Sequence, residues 1–421
     1  MPRTVGADLR MRNFDYIIVG GGLAAVSAVD GIREIDREGS IAIFAEEPDP
    51  PYHRPPLSKE FLQAEGAPRD LLHVKPARWF DDRANELTLF TDAPVKRLDA
   101  RAMTIHTAAG DAFRGRRILI ATGGRAKRLD VPGSDLPGVL SLRTAADSER
   151  LREMARGASR VVLVGAGFIG MELASSLSKF DVDAVVVEVE PRVWARVFPE
   201  TIASFLRRYF EERGVRFMMG SGVAAFEGEG RLARVVLDSG EEVPADLAIV
   251  GVGMSPSDEL GARAGLAVQD GVVVDGFAET TAAHIYAAGD VARFPDPLEG
   301  GLSRLEHWDH ARAHGRHAGR NMAGAREAFD HLSYFFTHVF DLSINVFGET
   351  AEVDRTIVSG ELGSGRSIVY CVTDNRLIGT ILINATGALE DCRALVRARP
   401  TVEDLLKEFE KPGVRPGELV G

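Results

Sequence analysis

Two carboxylates, Glu46 and Glu188, stand at matching distances behind two glycine clusters. Glu46 follows Gly20 by twenty-six residues and Glu188 follows Gly165 by twenty-three. A carboxylate so placed accepts hydrogen bonds from the hydroxyls of an adenine ribose, provided the glycines before it cradle a pyrophosphate. The glycines have that spacing. Gly20, Gly22 and Ala25 form G-x-G-x-x-A, and Gly165, Gly167 and Gly170 form G-x-G-x-x-G, with Phe168 and Ile169 between the last two. Small residues are needed because the turn is tight, backbone must approach phosphate, and the following helix must pack closely with its positive N-terminus at the anion. The chemistry is dinucleotide binding, twice. Glu188 would also repel a 2′-phosphate, which favours NADH over NADPH, although Arg192 and Arg196 are nearby cations able to accommodate one.

Each cradle needs a strand, a loop, a helix and a second strand. Tyr16 to Val19, a helix opening at Leu23, and Ile41 to Ala45 meet that need for the first. Arg160 to Val164, a helix over Met171 to Lys179, and Ala184 to Val187 meet it for the second. Arg116 to Gly124 is a further apolar strand, ending in Thr122 and Gly123 where backbone can meet ligand. Asp246 to Gly253 is a return strand, and His284 to Val291 carries Ala288-Gly289-Asp290, whose aspartate can bond a ribitol hydroxyl of FAD or simply make a turn. Asp130 to Gly138 reads as a hinge. Leu302 to Ala325 is expected to be helical, followed by strands at Ile344 to Phe347, Ser367 to Val372 and Leu377 to Ile383 and a helix at Val402 to Phe409. The expected fold is α/β, with two Rossmann-like dinucleotide-binding domains plus a C-terminal α+β domain. Its expected boundaries are 14–132 with 245–324 for the first domain, 133–244 for the second and 325–421 for the third.

Length and composition narrow the function. The 421 residues suffice for two or three domains, and 45% hydrophobic with 27% charged is ordinary globular material. The longest apolar runs, such as Val161 to Val164 and Ala248 to Val252, are strand-length, so no membrane span is expected. A net charge of -12 argues against a general nucleic-acid binder. The N-terminal stretch has no apolar core of the length a secretory signal needs, so a cytoplasmic protein is expected. Cys371 and Cys392 are the two cysteines, with no C-x-x-C, so no vicinal dithiol is on offer and both read as small buried hydrophobes. His307, His310, His314 and His317 share one helical face, but no acid or cysteine converges on them, so no metal is expected. Arg312, Arg316 and Arg320 recur every four residues on the same helix; exposed, they could dock an acidic electron carrier, and otherwise they are a solvated face.

In order, these motifs, with Tyr52-His53-Arg54-Pro55-Pro56-Leu57-Ser58-Lys59 after the first cradle and Leu305-Glu306-His307-Trp308-Asp309-His310-Ala311 after Asp290, resemble a known flavoprotein group. It contains apoptosis-inducing factor and the ferredoxin, rubredoxin and putidaredoxin reductases, of glutathione-reductase-like design. The R-P-P-L-S-K and E-H-x-D-H-A stretches are its specific parts, and the latter is most similar to apoptosis-inducing factor. The resemblance implies FAD in the first domain, NADH in the inserted one, and a C-terminal domain closing over the flavin's other face.

Matched residue by residue, the resemblance places Gly20, Gly22, Ala25, Glu46, Arg54, Lys59, Thr122, Gly123, Arg143 and Asp290 on the FAD side. Gly165, Gly167, Ile169, Gly170, Glu188, Arg196 and Gly253 fall on the NADH side. Glu306 and His307 match positions that touch cofactor, and Trp308 and Phe336 would lie over or beside the ring. Phe168 resembles the aromatic residue that covers the flavin until nicotinamide displaces it, the alternative being core packing. In relatives a lysine and a glutamate placed as Lys59 and Glu172 meet beside flavin N5, where a lysine held by a carboxylate can steady electron density on the reduced ring; the alternative is an ordinary ion pair. Phe336-Thr337 departs from the Trp-Ser of apoptosis-inducing factor, whose animal-specific segments are also missing, so its cell-death role is not transferred.

The implied activity is hydride transfer from NADH to FAD, then electron delivery to an acidic ferredoxin or rubredoxin without a redox disulfide. A small-acceptor NADH oxidase or quinone reductase, and a slowly turning redox sensor with a charge-transfer complex, are the alternatives. Homodimer formation is left open.

Overall fold

The computed structural model describes residues 12–81, 86–298, 300–363 and 365–409; the last residues of the expected third domain lie outside them. The chain groups into two compact units. The first comprises the described residues up to Arg54, with Pro68–Arg125 and Met254–Ser333. The second comprises Pro55–Ala67, Ala126–Gly253 and the residues from Tyr334 on.

The first unit is built on a seven-stranded sheet. Leu87–Phe90, Ile41–Phe44, Arg12–Val19 and Ala112–Ile120 lie side by side in parallel, and Ile285–Ala287 joins the far end of Ala112–Ile120, also parallel. The start of that long strand instead pairs antiparallel with Thr104–Thr107, followed by Val95–Asp99. Both faces are covered, so strand residues alternate between two cores: Ile17, Val19, Ala42 and Phe44 feed one, and Tyr16, Ile18, Ile41 and Ile43 the other. Helix Leu23–Ile35 packs against helix Trp308–Met322 almost backbone to backbone, because Gly31, Gly315 and Gly319 each abut a carbonyl of the other helix. A methyl at Gly319 would stand 2.0 Å from Ala28 O.

The second unit repeats the strand order on a smaller scale. Arg216–Met219, Asp183–Glu188, Arg160–Val164, Leu247–Val250 and Val139–Leu140 form a five-stranded parallel sheet. One face carries Val162, Val164, Val185, Val187 and Val250, capped by Phe226, Leu232 and Val235 of an antiparallel meander. From Tyr334 a five-stranded antiparallel sheet runs in the order Tyr334–Val339, Leu342–Gly348, Arg376–Ile383, Ser367–Thr373, Arg355–Gly360, followed by helices Leu389–Ala398 and Val402–Phe409. The proline-led segment of residues 55–67 belongs to this unit and is anchored within it. Ser148 Oγ donates to Leu57 O at 2.7 Å, and Arg152 Nη1 reaches Phe61 O and Ala64 O at 2.7 Å each.

Two sequence expectations shift. The helix expected over 302–325 covers only Trp308–Met322, because Leu302–Ser303 pairs as a short strand with Phe294–Pro295. The helix expected from Met171 begins at Phe168, straight off the glycine loop, and ends at Leu177. Among the described residues no helix is long and apolar enough to cross a membrane.

Candidate functional site

In the first unit the strand Arg12–Val19 ends on Gly20 at φ +126°, a backbone that L side chains rarely adopt. A methyl there would lie 2.1 Å from Ala121 O, so the loop presses on the end of the neighbouring strand. Gly22 faces open space and begins the helix with no side-chain cap and no acid in the first turn. Ala25, the third small position, is fully buried. Helix Ala145–Arg156 makes the contrast, because Thr144 and Asp147 close a capping box on it. Amides left without a side-chain partner at a helix N-terminus suit a pyrophosphate.

Around this loop the polar groups hold one another in place. Arg54 donates to Glu47 Oε1 at 2.7 Å and to the Tyr52 hydroxyl at 3.1 Å, while Tyr52 donates to Glu47 Oε2 at 2.5 Å. The fork of Arg54 is thereby aimed by Glu47, a residue that the motif does not single out from its neighbour Glu46. Glu46 itself is exposed, with Lys96 Nζ 3.8 Å away. Thr122 donates to Ser257 O at 2.7 Å, and Gly123 O accepts from Ser257 N at 2.9 Å. Asp290 follows Gly289, whose φ of +76° brings it against Ala24. Arg304 joins the Asp290 carbonyl at 3.3 Å to Glu306 at 2.5 Å. Trp308 Nε1 donates to His53 Nδ1 at 3.0 Å, which makes His53 a neutral acceptor; burial lowers its pKa accordingly. Burial likewise takes His307, the residue that opens helix Trp308–Met322, down to about 4. A glycine cradle, an uncapped helix and an outlying carboxylate fit FAD's pyrophosphate and adenine ribose.

The second unit holds the second loop. Gly165 has φ +104° and abuts Gly251 O, Gly167 opens on clear space, and a methyl on Gly170 would stand 1.9 Å from Gly165 O. The helix that starts at Phe168 again has neither side-chain cap nor first-turn acid. Glu188 differs from Glu46. Its Oε2 accepts from Ala166 N at 2.6 Å and its Oε1 from Glu190 N at 2.9 Å, so the carboxylate ties the glycine loop to the following turn. Arg192 donates to Glu352 at 2.7 Å and to Ala195 O at 3.1 Å, while Arg196 is exposed. Gly253, at φ +102°, accepts from Lys127 N at 3.0 Å. Half-buried Ile169 leans toward Gly251, and half-buried Phe168 meets Phe335 and Trp194 edge-on at 5.4 and 6.3 Å. Trp194 is buried at φ +46°, and its backbone N–H donates to Ala166 O at 2.9 Å, so this loop also braces the glycines.

Also within the second unit, Lys59 and Glu172 form a buried ion pair. Lys59 Nζ lies 2.6 Å from Glu172 Oε2 and donates to Pro55 O at 3.1 Å; Lys59 is 7% exposed and Glu172 5%. Glu172 also accepts from Ser58 Oγ at 2.5 Å and from Thr337 Oγ1 at 2.7 Å. Removing either charge of such a pair costs about 3–5 kcal/mol, because the survivor is left buried alone. Phe336, beside Thr337, is half-buried between Tyr334 and His338. Arg143 lies in this unit, its backbone N–H held by Asp147 at 3.1 Å.

Both cysteines are free and buried. Burial pushes Cys371 and Cys392 up to about 12 each. His310 and His314 are stacked among Phe294 and Phe329 in the first unit, and among the described residues no group of three or more ligating side chains could hold a metal ion. The arginine stripe is charge-compensated: Arg316 and Arg320 share Glu34 at 2.6 Å each, and Arg320 also pairs with Glu327 at 2.7 Å. Arg312 lies over Trp308, its guanidinium 5.4 Å from the ring centre.

Comparison with known proteins agrees with this geometry. Residues 14–315 match the family described as pyridine nucleotide-disulphide oxidoreductase, and 334–406 match a reductase C-terminal domain. The chain is 34% identical to rhodocoxin reductase of Rhodococcus erythropolis, over 87% of this chain and 86% of that one. It is also 34% identical to the peroxisomal monodehydroascorbate reductase 4 of Arabidopsis thaliana, over 96% and 86%. Its fold superposes with a TM-score of 0.89 on a putidaredoxin reductase solved in covalent complex with putidaredoxin, at 27% identity over 97% and 98% of the two chains.

Proposed function

The chain belongs to the pyridine nucleotide-disulphide oxidoreductase family, and from that premise we propose that it is an NADH-dependent reductase of a ferredoxin-type electron carrier, working without a redox disulfide. FAD, when bound, supplies a ring that takes a hydride from a nicotinamide and releases electrons onward one at a time. The first glycine loop, Glu46, Arg54, Thr122, Gly123 and Asp290 would hold it, helped by Arg143, Glu306, His307, Trp308 and Phe336. The second loop with Glu188 and Gly253 would hold NADH, and Phe168 would yield its place to the nicotinamide. Glu188 favours NADH by sign of charge, and Arg192, already bonded to Glu352, offers a 2′-phosphate little. Lys59, held by Glu172, supplies the cation that balances charge on the reduced ring.

One observation carries the reading: Glu172, on the helix opened by the second loop, holds Lys59 of the 55–67 segment in a buried ion pair, while both cysteines are buried with raised thiol pKa values. No thiol relay is needed. Two buried free cysteines suit a reducing compartment, and we place the protein in the cytoplasm. We propose 14–132 with 245–324 as the FAD domain, 133–244 as the NADH domain and 325–421 as the C-terminal domain. Arg312, the arginine beside Trp308, is our choice for meeting an acidic carrier.

Carrier-coupled turnover tests this directly. Arg312→Ser is expected to raise KM for an acidic [2Fe-2S] ferredoxin about tenfold and leave ferricyanide reduction alone. Equal KM values would remove Arg312 from the docking surface, and failure to reduce any ferredoxin or rubredoxin while turning over a small organic radical would favour an acceptor like that in the monodehydroascorbate reductase name.

A further inference from the structure

We propose that Thr337 is a positioning residue for hydride transfer, acting through Glu172 to hold Lys59 in register; this rests on the role assigned above to Lys59 and Glu172. The contact is built by two periodicities meeting. Phe168, Glu172 and Ser175 recur at i, i+4 and i+7 and so share one face of helix Phe168–Leu177. The strand Tyr334–Val339 and the turn after it meet that face one point at a time. Phe335 packs on Phe168, Thr337 donates to Glu172 Oε1 at 2.7 Å, and Phe340 N donates to Ser175 Oγ at 2.6 Å. Alternation along the strand puts Phe335 and Thr337 on the same side.

On the other side of the carboxylate, Oε2 takes Ser58 Oγ at 2.5 Å and Lys59 Nζ at 2.6 Å. Ser176 Oγ, from the next turn of the helix, donates to Ser58 O at 2.6 Å and pins that segment. Glu172 therefore bridges residues 58–59 and the C-terminal sheet, with one oxygen for each. Thr337 is 1% exposed and Ser58 2%, so neither hydroxyl has water as a substitute partner. A carboxylate that loses the donor on one oxygen is free to rotate about its terminal torsion, and the ammonium on the other oxygen moves with it. A reacting group displaced by a fraction of an ångström slows a positioned reaction steeply.

Thr337→Val keeps shape and removes the donor; Thr337→Ser keeps the donor. In anaerobic stopped flow of the holoenzyme with NADH, Thr337→Val is expected to slow flavin reduction about tenfold with little change in apparent NADH affinity. Thr337→Ser should recover wild-type speed to within about twofold. In a Glu172→Ala background Thr337→Val should add nothing, because its target is gone. Ser58→Ala gives an independent approach from the other oxygen and should slow reduction in the same sense. A readout without turnover is acylation of Lys59 by acetic anhydride, quantified by mass spectrometry. It should rise about tenfold in Thr337→Val and not in Thr337→Ser.

Wild-type reduction and labelling in Thr337→Val, with Lys59→Ala slow, would overturn the proposal and leave the ion pair's role intact. Fast reduction in Lys59→Ala and Glu172→Ala would overturn the role itself. A Thr337→Val defect of equal size in the Glu172→Ala background would show a structural effect and also overturn the proposal.

Discussion

At the third small position the two glycine loops part company: Ala25 carries its methyl fully buried in the first, whereas the matching Gly170 of the second has Gly165 O 1.9 Å from where a methyl would go. Their acids differ in the same sense. Glu46 stands in solvent with a distant lysine, while Glu188 spends one oxygen on the amide of Ala166 in its glycine loop and the other on that of Glu190 in the following turn. One fingerprint thus describes two mechanical designs. The first loop leaves its acid without a backbone partner in the loop and is backed instead by the glycine-mediated contact with helix Trp308–Met322. The second is tighter and braced by Glu188 and Trp194, so Glu188, proposed above for the nucleotide, also holds the loop.

The strongest test of that contrast is Gly170→Ala. Overlap with a backbone carbonyl cannot be relieved by a side-chain rotation, so NADH-driven flavin reduction should fall by about a hundredfold or more. The flavin should be retained. Near-normal reduction by NADH in this variant would show the second loop to be as tolerant as the first.

Acid should separate the units next. His310 and His314 of the first unit are fully buried, and burial pushes His310 well below its ordinary value and His314 to about 3. With folded values depressed, the unfolded chain binds protons first. Their contribution is intact above about pH 6.5 and is lost as pH falls towards the folded values, about 2 kcal/mol per ring between pH 7 and 5. Hydrogen exchange at pH 5 should therefore show opening in helix Trp308–Met322 before the sheet around Arg160–Val164. Simultaneous opening would mean that these rings do not set the acid limit.

Glu188→Ala and Glu46→Ala form the next pair. The first should raise KM for NADH and also destabilise the apoprotein by about 1.5–3 kcal/mol of lost charged hydrogen bonding, seen as a lower melting temperature. The second should weaken FAD binding about tenfold with no change in apoprotein melting. Equal melting losses would show that both acids brace their loops alike. Ala25→Gly should do least, costing about 1 kcal/mol of helix stability, as checked by urea denaturation. A loss as large as that of Gly170→Ala would contradict the looser first loop.

Much of this is legible in the chain because glycine loops are local: a few consecutive residues fix the backbone, and the strand before and acid after lie within one supersecondary unit. The double cradle and the C-terminal helix at Val402–Phe409 follow from such short-range patterns. What needs the fold is long-range. Lys59 and Glu172 lie far apart in sequence and pair there only through resemblance, and Thr337 cannot be joined to them without the register of a strand on a helix. The arginine stripe reads as basic in sequence, yet Glu34 from a helix near the N-terminus compensates two of its members. Arg54 owes its aim to Glu47, which sits beside the more conspicuous Glu46.

Electron counting tests most directly whether flavin is the sole redox centre between NADH and the carrier. In an anaerobic titration of the holoenzyme with NADH, one equivalent per chain should bleach the flavin's visible absorption completely, with no lag and no further uptake. Consumption of a second equivalent, with a long-wavelength intermediate persisting between the two, would reveal another two-electron centre and contradict the account.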